Sequence, residues 1–129
     1  MLQLAGIHHV ALICSDYQRS KAFYTGILGF EVIAEVFREE RNSWKLDLAL
    51  NGQYLLELFT FPGAPHRPSW PEAQGLRHLA FAVEDIEAAA QALATAGIEA
   101  EPVRIDPHTG KRFLFFSDPD NLPLELYQR

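Results

Sequence analysis

Two segments of this sequence repeat each other. His9-Val-Ala-Leu-Ile-Cys-Ser-Asp16 and His78-Leu-Ala-Phe-Ala-Val-Glu-Asp85 both open on histidine, run through apolar residues and reach aspartate seven residues later. An amphipathic stretch follows each aspartate and ends at Leu28-Gly29-Phe30-Glu31 or Ala96-Gly97-Ile98-Glu99. Each half then closes on Leu-Glu-Leu, at Leu56-Glu57-Leu58 and Leu124-Glu125-Leu126. The histidines lie 69 positions apart and the glutamates 68, so one register holds along a whole half-chain. A chain that repeats itself this way folds as copies of one supersecondary unit.

Local signals give the unit its order. The runs from about Ile7 to Cys14 and from Arg77 to Val83 are short and apolar, as buried strands are. Asp16 (or Ser15) and Asp85 suit helix N-caps, because a side-chain oxygen there accepts from an unpaired backbone N–H. The first helix offers Phe23, Ile27 and Leu28 as its inner stripe; the second offers Ile86, Ala89, Ala90 and Leu93. Gly29 and Gly97 suit the left-handed residue that ends a helix. Strand-like runs follow at about 30–38, 44–50 and 54–60, with Asn51-Gly52 as a hairpin turn. In the second half they fall at about 98–105, 112–117 and 123–128, with a turn at 118–121. The order is βαβββ twice, an α+β fold. Four of the eight prolines crowd into 61–75 and block both helix and ladder, which marks a linker. The expectation is a single domain over 1–129, with modules at about 6–60 and 76–129.

Composition narrows the function. A net charge of −6 disfavours nucleic acid and anionic membranes, both of which need a basic face. No apolar run reaches a membrane span, and the first residues lack a basic leader, so a cytoplasmic protein is expected. The lone Cys14 cannot pair within the chain and reads as a buried, inert thiol.

Strand parity then singles out four residues. Side chains alternate between sheet faces. His9 therefore points away from Val10, Leu12 and Cys14. Glu57 and Glu125 point away from the leucines that flank them. The aliphatic face is the one a helix would cover, which leaves His and Glu on the opposite, concave face. Carboxylates on apolar strands are costly alone and repel each other when close. A divalent cation bound by His9, Glu57, His78 and Glu125 removes both costs. The His2Glu2 set suits zinc, nickel, cobalt, iron or manganese, and leaves two octahedral positions for water or for two adjacent substrate oxygens. Taken singly, His9 or Glu57 would read as an ordinary strand residue; the recurrence is what changes that reading.

With these motifs in hand the chain resembles the vicinal oxygen chelate superfamily, and within it glyoxalase I and its bacterial relatives. The resemblance covers essentially the whole chain. It is carried by Ile7-His-His-Val-Ala-Leu-Ile, Ser20-Lys-Ala-Phe-Tyr-Thr-Gly-Ile-Leu-Gly-Phe30, Glu57-Leu58, Leu76-Arg-His-Leu-Ala-Phe81 and Asp118-Pro-Asp-Asn-Leu-Pro-Leu-Glu-Leu126, although glycine is commoner than Asn121 at its position. The step of seven to Asp16 matches His9, rather than His8, to the family's ligand. The resemblance implies a curved mixed sheet lining a cleft and a homodimer that can share the metal site between chains. It implies a lyase or isomerase acting on hemithioacetals of 2-oxoaldehydes such as methylglyoxal, formed with a thiol such as glutathione. A metal-stabilised enediolate would form, with Glu125 as base and Glu57 as its partner.

Secondary readings follow. Arg38, Lys111 and Arg112 could hold a substrate carboxylate; the plain reading of each is a solvated charge. Trp44, Phe59 and Phe113 could line a pocket, though core packing is commoner for aromatics. His8, His66 and His108 have no repeat partner and read as surface or structural. The ligand count separates chemistries that the fold alone does not. Dioxygenases and thiol transferases of the superfamily use two His and one Glu, and acyl-CoA epimerases usually carry Gln where Glu57 stands. The alternatives are such an epimerase or transferase, or a non-catalytic binding protein.

Overall fold

The first histidine-led run forms a short strand, β1 (Val10–Ile13), whose ladder begins one residue after His9. Its parallel partner, β4, starts pairing only at Val10↔Leu56, so the residues expected in the strand before Val10 lie outside the ladder. The computed structural model describes residues 1–129 and resolves into two units, Met1–Pro65 and His66–Arg129. No helix in it is long and apolar enough to cross a membrane.

In the first unit Asp16 caps α1 (Tyr17–Ala22), its side chain accepting from the Arg19 N–H at 3.1 Å. The helix then widens at Phe23–Ile27, where Leu28 N–H reaches back five residues to the Phe23 carbonyl at 3.2 Å. The wider turn changes the inner stripe. Tyr17, Ser20, Phe23 and Tyr24 are buried, while Ile27, expected inside, is turned outward. Strands β2 (Glu31–Arg38), β3 (Ser43–Leu50) and β4 (Gln53–Phe59) complete a sheet of order β1-β4-β3-β2. Asn51 and Gly52, with φ of 52° and 77°, form the tight β3–β4 hairpin, where both central residues need positive φ.

The second unit repeats the plan with β5 (Leu79–Val83), α2 (Ile86–Thr95), β6 (Arg104–Ile105), β7 (Arg112–Ser117) and β8 (Pro123–Gln128), in sheet order β5-β8-β7-β6. Asp85 caps α2 with two bonds of 3.1 Å, from Glu87 and Ala88 N–H. The strand expected over 98–105 shrinks to two residues plus a bridge at Ala100↔Phe116. Pro102 has no N–H to give the ladder. Beside it the Glu101 carboxylate takes the Phe115 N–H at 2.9 Å, a bond a backbone carbonyl would otherwise accept.

Each sheet buries one face under its helix. In the first unit this face holds Leu12, Cys14, Leu46, Leu48, Leu56 and Leu58; in the second, Leu114, Phe116, Leu124 and Leu126. Alternation fixes the rest: residues between these leucines look out from the other face.

Candidate metal centre

In the first unit parallel pairing of β1 with β4 sets Ala11 against Glu57. His9, two residues before Ala11, therefore shares a face with that carboxylate. Its Nε2 lies 3.6 Å from Glu57 Oε1, and the side chains are 35% and 13% exposed. The second unit repeats this: Ala80 pairs with Glu125, and His78 Nε2 lies 4.0 Å from Glu125 Oε1. Each pair presents one imidazole nitrogen and one carboxylate oxygen toward the same small space, a nitrogen-and-oxygen donor set that fits a borderline divalent ion. Within either unit taken alone, no three His, Cys, Asp or Glu side chains gather to hold an ion; each unit holds one His–Glu pair.

The surroundings of the two pairs differ. Directly across from Glu57 on β3 stands Asp47. Lys45 Nζ bonds both Asp47 oxygens, at 3.0 and 2.9 Å, and lies 3.3 Å from Glu57 Oε2. The hydrogen bond to Asp47 holds the Lys45 ammonium above its ordinary range. Tyr54 places its hydroxyl 3.0 Å from Asp47 Oδ1 and 3.2 Å from Glu57 Oε2, and stacks its ring on His9 with centroids 5.1 Å apart and planes 7° off parallel. Burial first, then the bond to Asp47, pushes the Tyr54 phenol up. His8 Nδ1 lies 2.8 Å from His9 Nδ1. For a neutral His9 to offer Nε2 to an ion, its proton must sit on Nδ1, the atom that faces His8.

Across from Glu125 stands Phe115 instead, with His78 edge-on to its ring at 5.0 Å. Phe113, two residues away, stacks on Tyr127 and lies under the Arg104 guanidinium at 4.8 Å. This floor is aromatic, although the pair is about as exposed as the first, with His78 at 32% and Glu125 at 14%. Burial raises the Glu125 carboxyl pKa, and the nearby His78 opposes that rise.

The secondary candidates separate. Arg38 lies over Phe59 at 4.8 Å, on Glu57's face, and its Nη2 donates to Ser43 Oγ at 2.8 Å. Its Nε is buried without a hydrogen-bond partner. Lys111 sits in an exposed turn, its carbonyl accepting from Asp106 N–H. Arg112 is corrected: it pairs with Glu87 of α2 on the helix-covered side, because it is one residue out of phase with Phe113 and so faces away from Glu125. Trp44 likewise faces α1, stacked on Tyr17 at 4.5 Å. Sequence reasoning passed over Lys45, Asp47 and Tyr54 and read His8 as surface or structural. The charged and polar residues of β3 at positions 45 and 47, alternating with leucines, were the available signal.

With the fold and these pairs established, the comparisons assign a class. The chain belongs to the Glyoxalase/Bleomycin resistance protein/Dioxygenase superfamily, the vicinal oxygen chelate proteins, whose family model matches residues 6–126. It is 63% identical to YwkD of Bacillus subtilis (strain 168), over 98% of each chain. It is 30% identical to a 2-epi-5-epi-valiolone epimerase of Actinomyces sp., over 93% of this chain and 77% of that one. Among solved structures, a glyoxalase family protein from Enterococcus faecalis superposes with a TM-score of 0.89 at 55% identity, covering 95% and 97% of the two chains. The fold also matches a mutant of the fosfomycin resistance protein FosX of Listeria monocytogenes, solved with Mn(II) and a dihydroxypropylphosphonic acid, with a TM-score of 0.75 at 23% identity over 97% and 93% of the chains.

Proposed function

We propose that this protein is a metal-dependent isomerase of the glyoxalase I kind, converting the hemithioacetal of a 2-oxoaldehyde such as methylglyoxal to a 2-hydroxy thioester in the cytoplasm. The observation that carries the reading is the recurrence of one His–Glu pair in both units at one strand register, His9 with Glu57 and His78 with Glu125. Those four side chains would hold the ion, zinc or nickel before cobalt, iron or manganese, either within one chain or across a dimer. When bound, the ion supplies Lewis-acid polarisation of two vicinal substrate oxygens. The protein's own part is the proton. A carboxylate removes it from the carbon bearing the hydroxyl and returns it to the neighbouring former carbonyl carbon, so atoms balance without an external oxidant or reductant. Glu125 suits this role because burial favours its protonated form. Glu57, its Oε2 held by Lys45 and Tyr54, suits the role of fixed ligand and partner. Arg38, with no acidic partner near its guanidinium and its Nε unused, suits an anionic substrate group. The apolar residues Val32, Ile33, Val36 and Phe37, each more than two-fifths exposed on β2, support pairing with a second copy.

A second reading rests on the epimerase relative. Proton removal and return beside a carbonyl is chemistry the same carboxylate could perform without a thiol. The test reconstitutes metal-free protein with each candidate ion and assays methylglyoxal with several thiols. Thioester formation lost about 10²- to 10⁴-fold in Glu125→Gln supports the first reading. Absence of turnover with every ion and thiol overturns it, and deuterium uptake from solvent into a carbonyl substrate without thiol would favour the epimerase.

A further inference from the structure

We propose that Tyr54 is the positioning residue of the first unit's metal pair, locking His9 and Glu57 into ligand geometry before an ion arrives; this rests on the metal reading above. The argument begins with strand register. β3 and β4 pair Leu48 with Leu56 and then Ala49 with Tyr54, so Leu55 is an extra residue, a bulge. Strict alternation would turn Tyr54 toward the core with Leu56 and Leu58. The bulge turns it instead onto Glu57's face, three residues away, and re-aiming a side chain is what bulges beside functional sites do.

On that face one side chain touches both ligands. Its ring lies flat on His9 and edge-on to His8, and its hydroxyl reaches Glu57 Oε2 and Asp47 Oδ1. One hydroxyl proton cannot serve both carboxylates at once; Lys45, with three N–H donors, covers what remains. Both donors engage Oε2 of Glu57. That leaves Oε1, the oxygen beside His9 Nε2, open to an ion. The second unit has no such device. Its ladder runs without a bulge from Phe113 to Ser117, and the residue three before Glu125 is the buried Leu122.

The test titrates metal-free full-length protein with Co²⁺ alone, following affinity by calorimetry, the visible absorption of the bound ion, and the thermal melt of the ion-free form. Tyr54→Phe keeps the ring on His9 and removes only the hydroxyl. It should weaken Co²⁺ binding roughly tenfold, within the range for partners of a metal ligand, and change the absorption spectrum while the ion-free melt stays close to wild type. Tyr54→Leu should weaken it further. Tyr127→Phe, whose hydroxyl serves Asp106 and Thr109, should leave affinity within about twofold. Wild-type affinity and spectrum in Tyr54→Phe overturn the proposal. If Tyr54→Phe does not fold, Asp47→Asn decides: relieved of a competing carboxylate, the hydroxyl turns to Glu57 and affinity holds or rises, whereas a loss as large as that of His9→Ala overturns the proposal. Absence of Co²⁺ binding by the wild type would instead sink the metal reading itself, a different result from normal binding by Tyr54→Phe.

Discussion

The two units use one backbone plan to build two different floors. Where Glu57 faces Asp47, Glu125 faces Phe115. Where the first unit carries Lys45 on the next row, the second carries Phe113, as their pairing with Phe59 and Tyr127 shows. His8 beside His9 is answered by Arg77 beside His78, which leaves the site to stack on Trp70 at 5.2 Å. The His–Glu positions therefore recur in both units while their neighbours differ. The first carboxylate is fixed by donors, whereas burial favours the neutral form of the second. A reaction that needs one steady ligand and one mobile proton carrier would use such a division.

The sharpest way to break the comparison is to ask whether both halves are needed. His9→Ala and His78→Ala should each lower divalent-ion affinity by roughly 100-fold or more, because removing even a partner of a ligand costs 10- to 100-fold. Calorimetric titration of each variant measures it. A large loss from one and none from the other would mean that the ion, if present, belongs to a single unit.

Exchanging the floors should come next in size. Phe115→Asp sets a carboxylate against Glu125, with the Arg104 guanidinium, 5.9 Å from the Phe115 ring centre, offsetting only part of the repulsion. The expected cost is about 2–4 kcal/mol, a fall of roughly 10 °C in the melting temperature of the metal-free protein. Adding Phe113→Lys, which copies the Lys45 position, should recover about half of that loss. A melt unmoved by Phe115→Asp would show that the aromatic floor is not what burdens charge there.

What the sequence disclosed and what it withheld divide along the same line. The strand order, both helix caps and the shared face of His9 and Glu57 were legible, because period-two alternation and the 68-residue repeat are properties of the chain read in one dimension. Tyr54 was not, because an unbroken alternation assigns it to the core and only the bulge at Leu55 reverses that. The place of Ile27 was lost for the same reason: a widened helical turn adds a residue that an ideal 3.6-residue period does not contain. Arg112 was offered as a substrate contact without regard to strand phase, and one residue of phase, which in a sheet is the whole difference between its faces, turns it away from Glu125.

Lys45→Met tests the first floor more gently. Without the ammonium, Asp47 and Glu57 stand opposed across the ladder with one hydroxyl between them. Like charges directly opposite destabilise, and for a side chain still 30% exposed the loss should be about 1 kcal/mol, or roughly 4 °C. Its pH dependence has a definite sign. A lysine raised by its partners adds stability that is complete below the unfolded value and is lost as pH rises through the folded one. The gap between wild type and variant should therefore hold through neutral pH and close only above the ordinary lysine value of 10.5. Added divalent ion should also narrow it at neutral pH, since the ion can take over the neutralisation of Glu57.

The smallest effect is the one that most directly separates the glutamates. Burial, partly offset by His78, raises the Glu125 pKa in the folded chain. The folded state then holds a proton that the unfolded state releases at about 4.3. Stability that is complete below that pH is lost as pH rises through the folded value, so at neutral pH the metal-free protein carries Glu125 as an unfavourable charge. Glutamine keeps the shape and removes the charge. Glu125→Gln in chelator should therefore melt about 2 °C above wild type at pH 7, with the advantage gone near pH 4. Glu57→Gln should go the other way, because it strips Lys45 of one of its two carboxylate partners. Melting curves of the two variants across that pH range decide the matter. Equal shifts in the same direction would erase the distinction between the two halves, and with it the reason for assigning the proton to Glu125.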